Sequence, residues 1–403
     1  MAEFEQYLAA GKKGLLIGIG GVSMSPLAEV LHDVGVTIVG SDMHESDNTR
    51  MLREKGIAIS IGHKAENITD DLDFVVRTAA VHNDNPEIVT ARAKNIPVFE
   101  RTQAWGAIMR HYPNAICIAG THGKTTTTSM CTHIMMAAEK DPTVMIGGTL
   151  PLLHAGHRVG NGDTIIFESC EYYNGFLSLS PTIAVVLNIE ADHLDFFKDL
   201  EDIRRSFRKF AEKTSRLLIV NGSDPNTMKA VEGLNKNVIT FGSTPDNDYY
   251  PENVLHENGL LTSYDAVYRG QVLGRVTLHV AGIHNVLNSL AAIAVCRELG
   301  TSFEDIQRGL DEFRGAMRRF EKLGEAKGIT VVDDYAHHPA ELEATLCAAM
   351  EMGFNSVWAV FQPFTYSRTQ ILLDDFARVL QIPDHAVLTD IMGSREKNTY
   401  GIF

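Results

Sequence analysis

The sequence is poor in the features that mark several large protein classes. Its five cysteines, Cys117, Cys131, Cys170, Cys296 and Cys347, are scattered through 403 residues with no C-x-x-C pair. That argues against a disulfide framework or a zinc site and fits reduced core thiols. No apolar run is long enough to span a membrane and no secretory leader is visible, so a cytoplasmic protein without membrane insertion is expected. A basic excess is also missing. Lys and Arg number 36 against 51 Asp and Glu, a formal net charge of −15, which is the wrong sign for a nucleic-acid binder. An anionic ligand would have to be held locally, by glycine turns, helix ends and a few basic side chains.

What is present is an α/β pattern long enough for two or three domains. Strand-like runs at Leu15–Ile17, Val36–Gly40, Ile57–Ile61, Phe74–Val76 and Val98 alternate with helical segments near Leu27–Val34 and Glu87–Lys94. This predicts a parallel sheet with helices on its faces. The pattern restarts at Ala115, which places a boundary near Ile108, and it hinges again at Phe313–Glu321. Residues 246–274 read as a small antiparallel excursion. Strands beginning at Ile329, Ser356 and Ala386 make only about three in the last unit, so a truncated C-terminal domain with an open sheet edge is expected.

The central motif follows the apolar run Ala115–Ala119. Gly120-Thr121-His122-Gly123-Lys124-Thr125-Thr126 is a glycine turn that leads into a helix, with helical character from Ser129 to Ala138. Such a turn aims backbone N–H groups and the positive end of the helix dipole at one point, which suits phosphate. Lys124 supplies charge for the β- and γ-phosphates and Thr125 a hydroxyl for Mg²⁺. Ile118 stands where the strict phosphate-loop pattern has its first glycine. Two later strand ends carry acids, Glu168 and Glu171 on one, and Glu190, Asp192, His193 and Asp195 on the other; both suit metal or phosphate chemistry.

The first unit has its own glycine turn at Gly18, Gly20 and Gly21, followed about twenty residues later by Ser41-Asp42, the place of a ribose contact in dinucleotide folds. Ser23 occupies the third fingerprint glycine, which weakens a nicotinamide or flavin reading but not a diphosphate one. Thr78 to His82 follow a strand, where ligand contacts gather, although His82 by itself reads as a surface residue. His284, Asn285 and Asn288 open a helix, as caps or as base contacts. Asp334, His337 and His338 end a third-unit strand, and H-H-P without a third spaced ligand is no zinc motif.

In order along the chain, G-I-G-G-V-S-M-S, A-G-T-H-G-K-T-T-T, E-S-C-E-Y, N-I-E-A-D-H-L-D, H-N-V-L-N, R-R-F-E, D-D-Y-A-H-H-P and F-Q-P-F-T-Y-S-R-T together resemble the Mur ligases of bacterial cell-wall synthesis. The resemblance implies three domains: a Rossmann-like UDP-sugar domain (1–108), a central P-loop ATPase domain (109–313) and a Rossmann-like amino-acid domain (314–403). It implies an ATP-dependent, Mg²⁺-requiring amide ligase, most similar to the branch that joins L-alanine to the carboxylate of UDP-N-acetylmuramate through an acyl phosphate. By motif position, Gly120, Thr121, His122, Gly123, Lys124, Thr125 and Thr126 would hold ATP phosphates. His284, Asn285 and Asn288 would face adenine. Thr125, Glu171 and His193 would bind metal. Gly18, Gly20, Gly21, Val22, Ser23, Met24, Ser25, Ser41, Asp42 and Thr78 would receive the UDP sugar. Arg318, Asp334, His337, His338 and Arg368 would close over ATP and the acyl group.

The chain departs from relatives in two places. Phe207 sits near the position of a carbamylated lysine found in relatives that add later amino acids, and Phe364-Thr365 replaces a frequent His-Arg. The alternatives are a tripeptide-adding ligase of cell-wall recycling, a folate-polyglutamating ligase, a dinucleotide-dependent oxidoreductase and a non-catalytic nucleotide-binding module. A homodimer is left open.

Overall fold

The computed structural model describes residues 3–78, 80–194, 196–257, 261–280, 282–393 and 396–402. Ala79 and Asp195, within two of the stretches singled out above, lie outside these. In the N-terminal unit β1 (Lys13–Ile17), β2 (Thr37–Asp42), β3 (Ala58–Ile61), β4 (Phe74–Arg77) and β5 (Val98–Glu100) form a parallel sheet in the order β3-β2-β1-β4-β5. It is packed by α1 (Ser25–Asp33), α2 (Asp47–Glu54), α3 (Pro86–Ala93) and α4 (Arg101–Met109). The chain order reverses at β1, so the glycine turn after β1 opens between the ends of β2 and β4, the crevice where open α/β sheets bind ligands.

The central unit is a ten-stranded sheet. Its strands are β6 (Asn114–Ala119), β7 (Thr143–Leu150), β8 (Ala155–Arg158), β9 (Thr164–Glu168), β10 (Ile183–Val186), β11 (Leu217–Asn221), β12 (Val238–Phe241), β13 (Tyr249–Glu257), β14 (Leu261–Tyr268) and β15 (Gln271–Leu278). The order β15-β14-β13-β12-β11-β10-β6-β9-β7-β8 puts β6 between β10 and β9, all three parallel. The expected antiparallel excursion is present as β13 to β15, and it extends the same sheet.

Helix α5 (Lys124–Ala137) starts five residues before the expected Ser129. Threonine propensity is overridden by burial, because Thr127, Thr128, Ser129 and Thr132 are fully enclosed where α5 meets α8 (Ile283–Glu298) and α9 (Phe303–Glu312). The remaining central helices are α6 (Leu200–Lys213), whose buried face includes Phe207, and α7 (Pro225–Val231). Ile108 lies inside α4, and one apolar core runs from Phe4 and Leu16 through Trp105 of α4 to Phe167 and Phe207, so the first two units share a core.

The C-terminal unit is built differently. Strands β16 (Glu321–Ala326) and β17 (Ile329–Asp333) pair antiparallel, while β18 (Trp358–Phe361) and β19 (His385–Leu388) pair parallel. The first of these strands was not foreseen, because its largely exposed, glycine-containing run carries no apolar signal. Helices α10 (Pro339–Glu351), α11 (Tyr366–Ile371) and α12 (Leu373–Val379) complete the unit. Its core is small and separate, centred on Leu342, Leu346, Phe361, Phe376 and Val379. The ion pairs His122–Glu341 and Asp192–Arg368 cross from the central unit to it. Among the described residues all five cysteines are free, and no helix is long and apolar enough to cross a membrane.

Candidate active site

The loop after β6 is shaped by its neighbours. Gly120 (φ +151°) and Gly123 (φ +83°) take conformations that disfavour side chains, and a Cβ on Gly123 would lie 2.5 Å from Asn288 Oδ1. The segment after β10 clamps the loop. The N–H of Thr121 donates to the Asn188 carbonyl at 3.0 Å, the N–H of His122 to Asn188 Oδ1 at 2.7 Å, and the N–H of Glu190 to Thr121 Oγ1 at 2.8 Å. Because β9 lies on the other side of β6, Glu168 and Glu171 flank the loop there.

Lys124 is enclosed, and its Nζ donates to the Gly120 and Thr121 carbonyls and lies 3.2 Å from Glu171 Oε2. Burial opposes its charge, but Glu171, with Cys170 and Glu168, outweighs burial and holds the ammonium protonated. The side chain that meets Thr125 is Glu168: Thr125 Oγ1 donates to Glu168 Oε1 at 3.0 Å, and Glu168 Oε2 accepts the Gly147 N–H at 2.6 Å. The family resemblance assigns only Glu171 of this strand end to the metal, whereas Glu168 is the acid bonded to the loop hydroxyl. His193 Nε2 lies 3.9 Å from Glu171 Oε1 and 3.6 Å from Asp192 Oδ2, with its ring stacked on Tyr172 at 4.4 Å. Burial lowers its pKa, favouring a neutral imidazole. A hydroxyl, two carboxylates and a neutral imidazole around the loop form a donor set that fits Mg²⁺ or a similar ion.

A cavity of about 290 Å³ opens beside the loop, between the central and C-terminal units. His122, Gly123 and Thr126 line one side, His284, Asn285 and Asn288 another, and Asp334 a third. Arg319, not Arg318, reaches it. The Arg318 side chain is exposed, lying over the Tyr335 ring and 3.2 Å from Asp333 Oδ2. Asp334 carries a raised pKa from burial and accepts the N–H groups of Phe320 and Ala336, each at 2.7 Å.

His122 is held between two acids, Nε2 lying 3.3 Å from Glu190 Oε2 and Nδ1 3.4 Å from Glu341 Oε1. Burial disfavours its charge, yet the two carboxylates raise its pKa to about 9. His122, Glu190 and His338 could in principle enclose a cation. However, the two carboxylates favour the charged form of His122, and His338 Nδ1 accepts the Ala340 N–H at 3.3 Å as the cap of α10. The trio is a charge cluster that joins the loop to α10.

A second cavity, about 740 Å³, lies where all three units meet. Ala80 and His82 come from the first unit, Tyr172, Asp192 and His193 from the second, and His337, Phe364 and Arg368 from the third. Arg368 Nη2 sits 3.4 Å from Asp192 Oδ1 across the boundary. Phe364 takes the position of the frequent histidine, 6.3 Å from the His337 ring, so Arg368 is the basic group of its motif at this cavity. His82, read from sequence as a surface residue, belongs to the cavity wall.

In the first unit, Gly18 (φ +77°) packs beside Thr78, and the Gly20 N–H donates to Asp42 Oδ2 at 2.8 Å, so Asp42 shapes the turn. Gly21 and Ser23 lie on that turn next to exposed Val22, while Met24 and Ser25 are buried at the start of α1. Ser41 is not open to a ligand. It is fully buried, its Oγ donating to Glu87 at 2.8 Å beside His63. Ser41 shares a face of β2 with Val39 and is covered there by Glu87 of α3, a partner of which the sequence offers no sign.

Three family descriptions cover most of the chain: "Mur ligase family, catalytic domain" matches residues 16–113, "Mur ligase middle domain" 118–296 and "Mur ligase, glutamate ligase domain" 318–400. The chain belongs to the Mur ligase family. Among Mur ligases it is 50% identical over 388 residues to a UDP-N-acetylmuramate–L-alanine ligase of Agathobacter rectalis, covering 96% of this chain and 84% of the relative. The crystal structure of a UDP-N-acetylmuramate–alanine ligase from Thermotoga maritima is 33% identical, with a TM-score of 0.78 over 95% of this chain and 86% of that one. A murein peptide ligase from Psychrobacter arcticus, 24% identical with a TM-score of 0.72 over 94% of this chain and 84% of that chain, shares the fold.

Proposed function

We infer that this Mur ligase joins L-alanine to the carboxylate of UDP-N-acetylmuramate with consumption of ATP, a step of peptidoglycan precursor synthesis. The observation that carries this reading is the meeting of all three units at one cavity, where Arg368, Asp192 and His193 stand beside Ala80 and His82, with His193 also 3.9 Å from the Glu171 that pairs with Lys124. A carboxylate is a poor electrophile, and ATP supplies the phosphoryl group that activates it. Lys124 and the N–H groups at the start of α5 stabilise the transferred negative charge. Thr125, Glu168, Glu171 and His193 would hold Mg²⁺. Arg368 orients the substrate carboxylate, and the C-terminal unit excludes water from the activated acyl group.

The same reading places the UDP-sugar domain at 1–108, the ATP domain at 109–313 and the amino-acid domain at 314–403, with the enzyme in the cytoplasm. We expect phosphate release from ATP only when UDP-N-acetylmuramate and L-alanine are both present, with weaker response to glycine or L-serine. Turnover with the tripeptide and not with L-alanine would overturn the assignment in favour of a recycling ligase.

A further inference from the structure

Glu341 is a carboxylate in the wrong place for a nucleotide pocket. It belongs to the first turn of α10 in the C-terminal unit, yet it lines the cavity beside the phosphate loop. Its Oε1 lies 3.4 Å from His122 Nδ1 and 3.6 Å from Arg319 Nη1. Its Oε2 accepts the His337 N–H at 3.1 Å and lies 3.5 Å from His337 Nδ1. One anion thus gathers His122 of the loop, Arg319 of the hinge and His337 of the strand end. Of these, His122 and Arg319 line the cavity with Glu341 and are the groups that an anionic phosphate entering it would meet, while His337 faces the second cavity. Glu341 and a phosphate would therefore draw on the same two cationic groups in this cavity.

We propose that Glu341 competes with the phosphates of ATP for His122 and Arg319, so that nucleotide entry exchanges an internal ion cluster for the ligand. The inference rests on reading the cavity as the ATP site. Burial favours a neutral acid, but His122, His337 and Arg319 hold the Glu341 carboxyl well below the usual range, so the competing group is ionised. The cluster has leverage because the core of the C-terminal unit is not continuous with the core of the central one. The exchange therefore couples ATP entry to the position of α10, and with it His337 and His338. Glu341 is a positioning residue, acting through His122 and Arg319.

The test is binding of a non-hydrolysable ATP analogue with Mg²⁺, followed by calorimetry on the full chain. Glu341→Gln keeps the side-chain shape and removes the charge, and we expect Kd to fall about tenfold. Glu341→Asp, which withdraws the carboxylate from His122, should give a smaller gain and serves if the glutamine variant folds poorly. Tighter binding is a result that structural damage would not produce. Combining Glu341→Gln with His122→Gln should abolish most of the gain. Unchanged or weaker binding by both single variants, with normal binding by the parent chain, would overturn the competition. Failure of the parent chain to bind the analogue would instead overturn the ATP reading, and the competition with it.

Discussion

Lys124→Ala is expected to lower kcat by about 10³-fold or more while leaving UDP-sugar binding intact. The reason lies in how Lys124 is held. Its ammonium is enclosed at the mouth of α5, kept charged by Glu171 and pinned by the Gly120 and Thr121 carbonyls. A charge fixed in a water-poor loop stabilises phosphoryl transfer far better than one in solvent, because no reorganisation is needed as negative charge develops. Alanine removes it and strands buried Glu171 without its cation, a change that costs about 3–5 kcal/mol when a buried pair is broken. Melting curves must therefore accompany the kinetics. The glycine turn at Gly18–Gly21 belongs to a different sheet, so calorimetric titration with UDP-N-acetylmuramate should be unaffected. Equal loss of sugar binding and turnover would contradict the division of labour.

Arg368→Ala is expected to reduce kcat/KM about 10²-fold while binding of an ATP analogue stays near normal. Arg368 lines the cavity where the three units meet and bridges to Asp192, in a motif that reads Phe364-Thr365 where the family resemblance suggests His-Arg. Its loss should appear chiefly in the steps that involve the sugar carboxylate and L-alanine. Arg368→Lys keeps the charge but loses the planar fork, so only partial recovery is expected. Steady-state kinetics with each substrate varied in turn check this, and a change confined to the KM for ATP would point to a different role.

The parallel sheets were readable because strands buried on both faces are near-continuous apolar runs, as in Ala115–Ala119 and Ile183–Val186. The phosphate loop was readable from its glycines and Lys124. What escaped notice depended on partners distant in sequence. The early start of α5 is set by burial of its threonines against α8 and α9, which propensity opposes. Arg318 and Arg319 are adjacent, and only the turn of the backbone, with Arg318 at φ +58°, decides which one reaches the cavity. Glu341 looks in sequence like an ordinary acid in a first helical turn, and only the fold brings it to His122, more than two hundred residues earlier. Ser41 sits at a strand end that suits a ligand, but Glu87 takes its hydroxyl.

The central claim is that ATP is consumed in activating the sugar carboxylate. Turnover of UDP-N-acetylmuramate carrying ¹⁸O in that carboxylate, with L-alanine and ATP, tests it directly. Attack of a carboxylate oxygen on the γ-phosphorus, followed by attack of the amine on the acyl carbon, must leave one labelled oxygen in the released phosphate. Mass spectrometry of that phosphate should show one ¹⁸O per turnover. Unlabelled phosphate, or label recovered in AMP, would contradict the account.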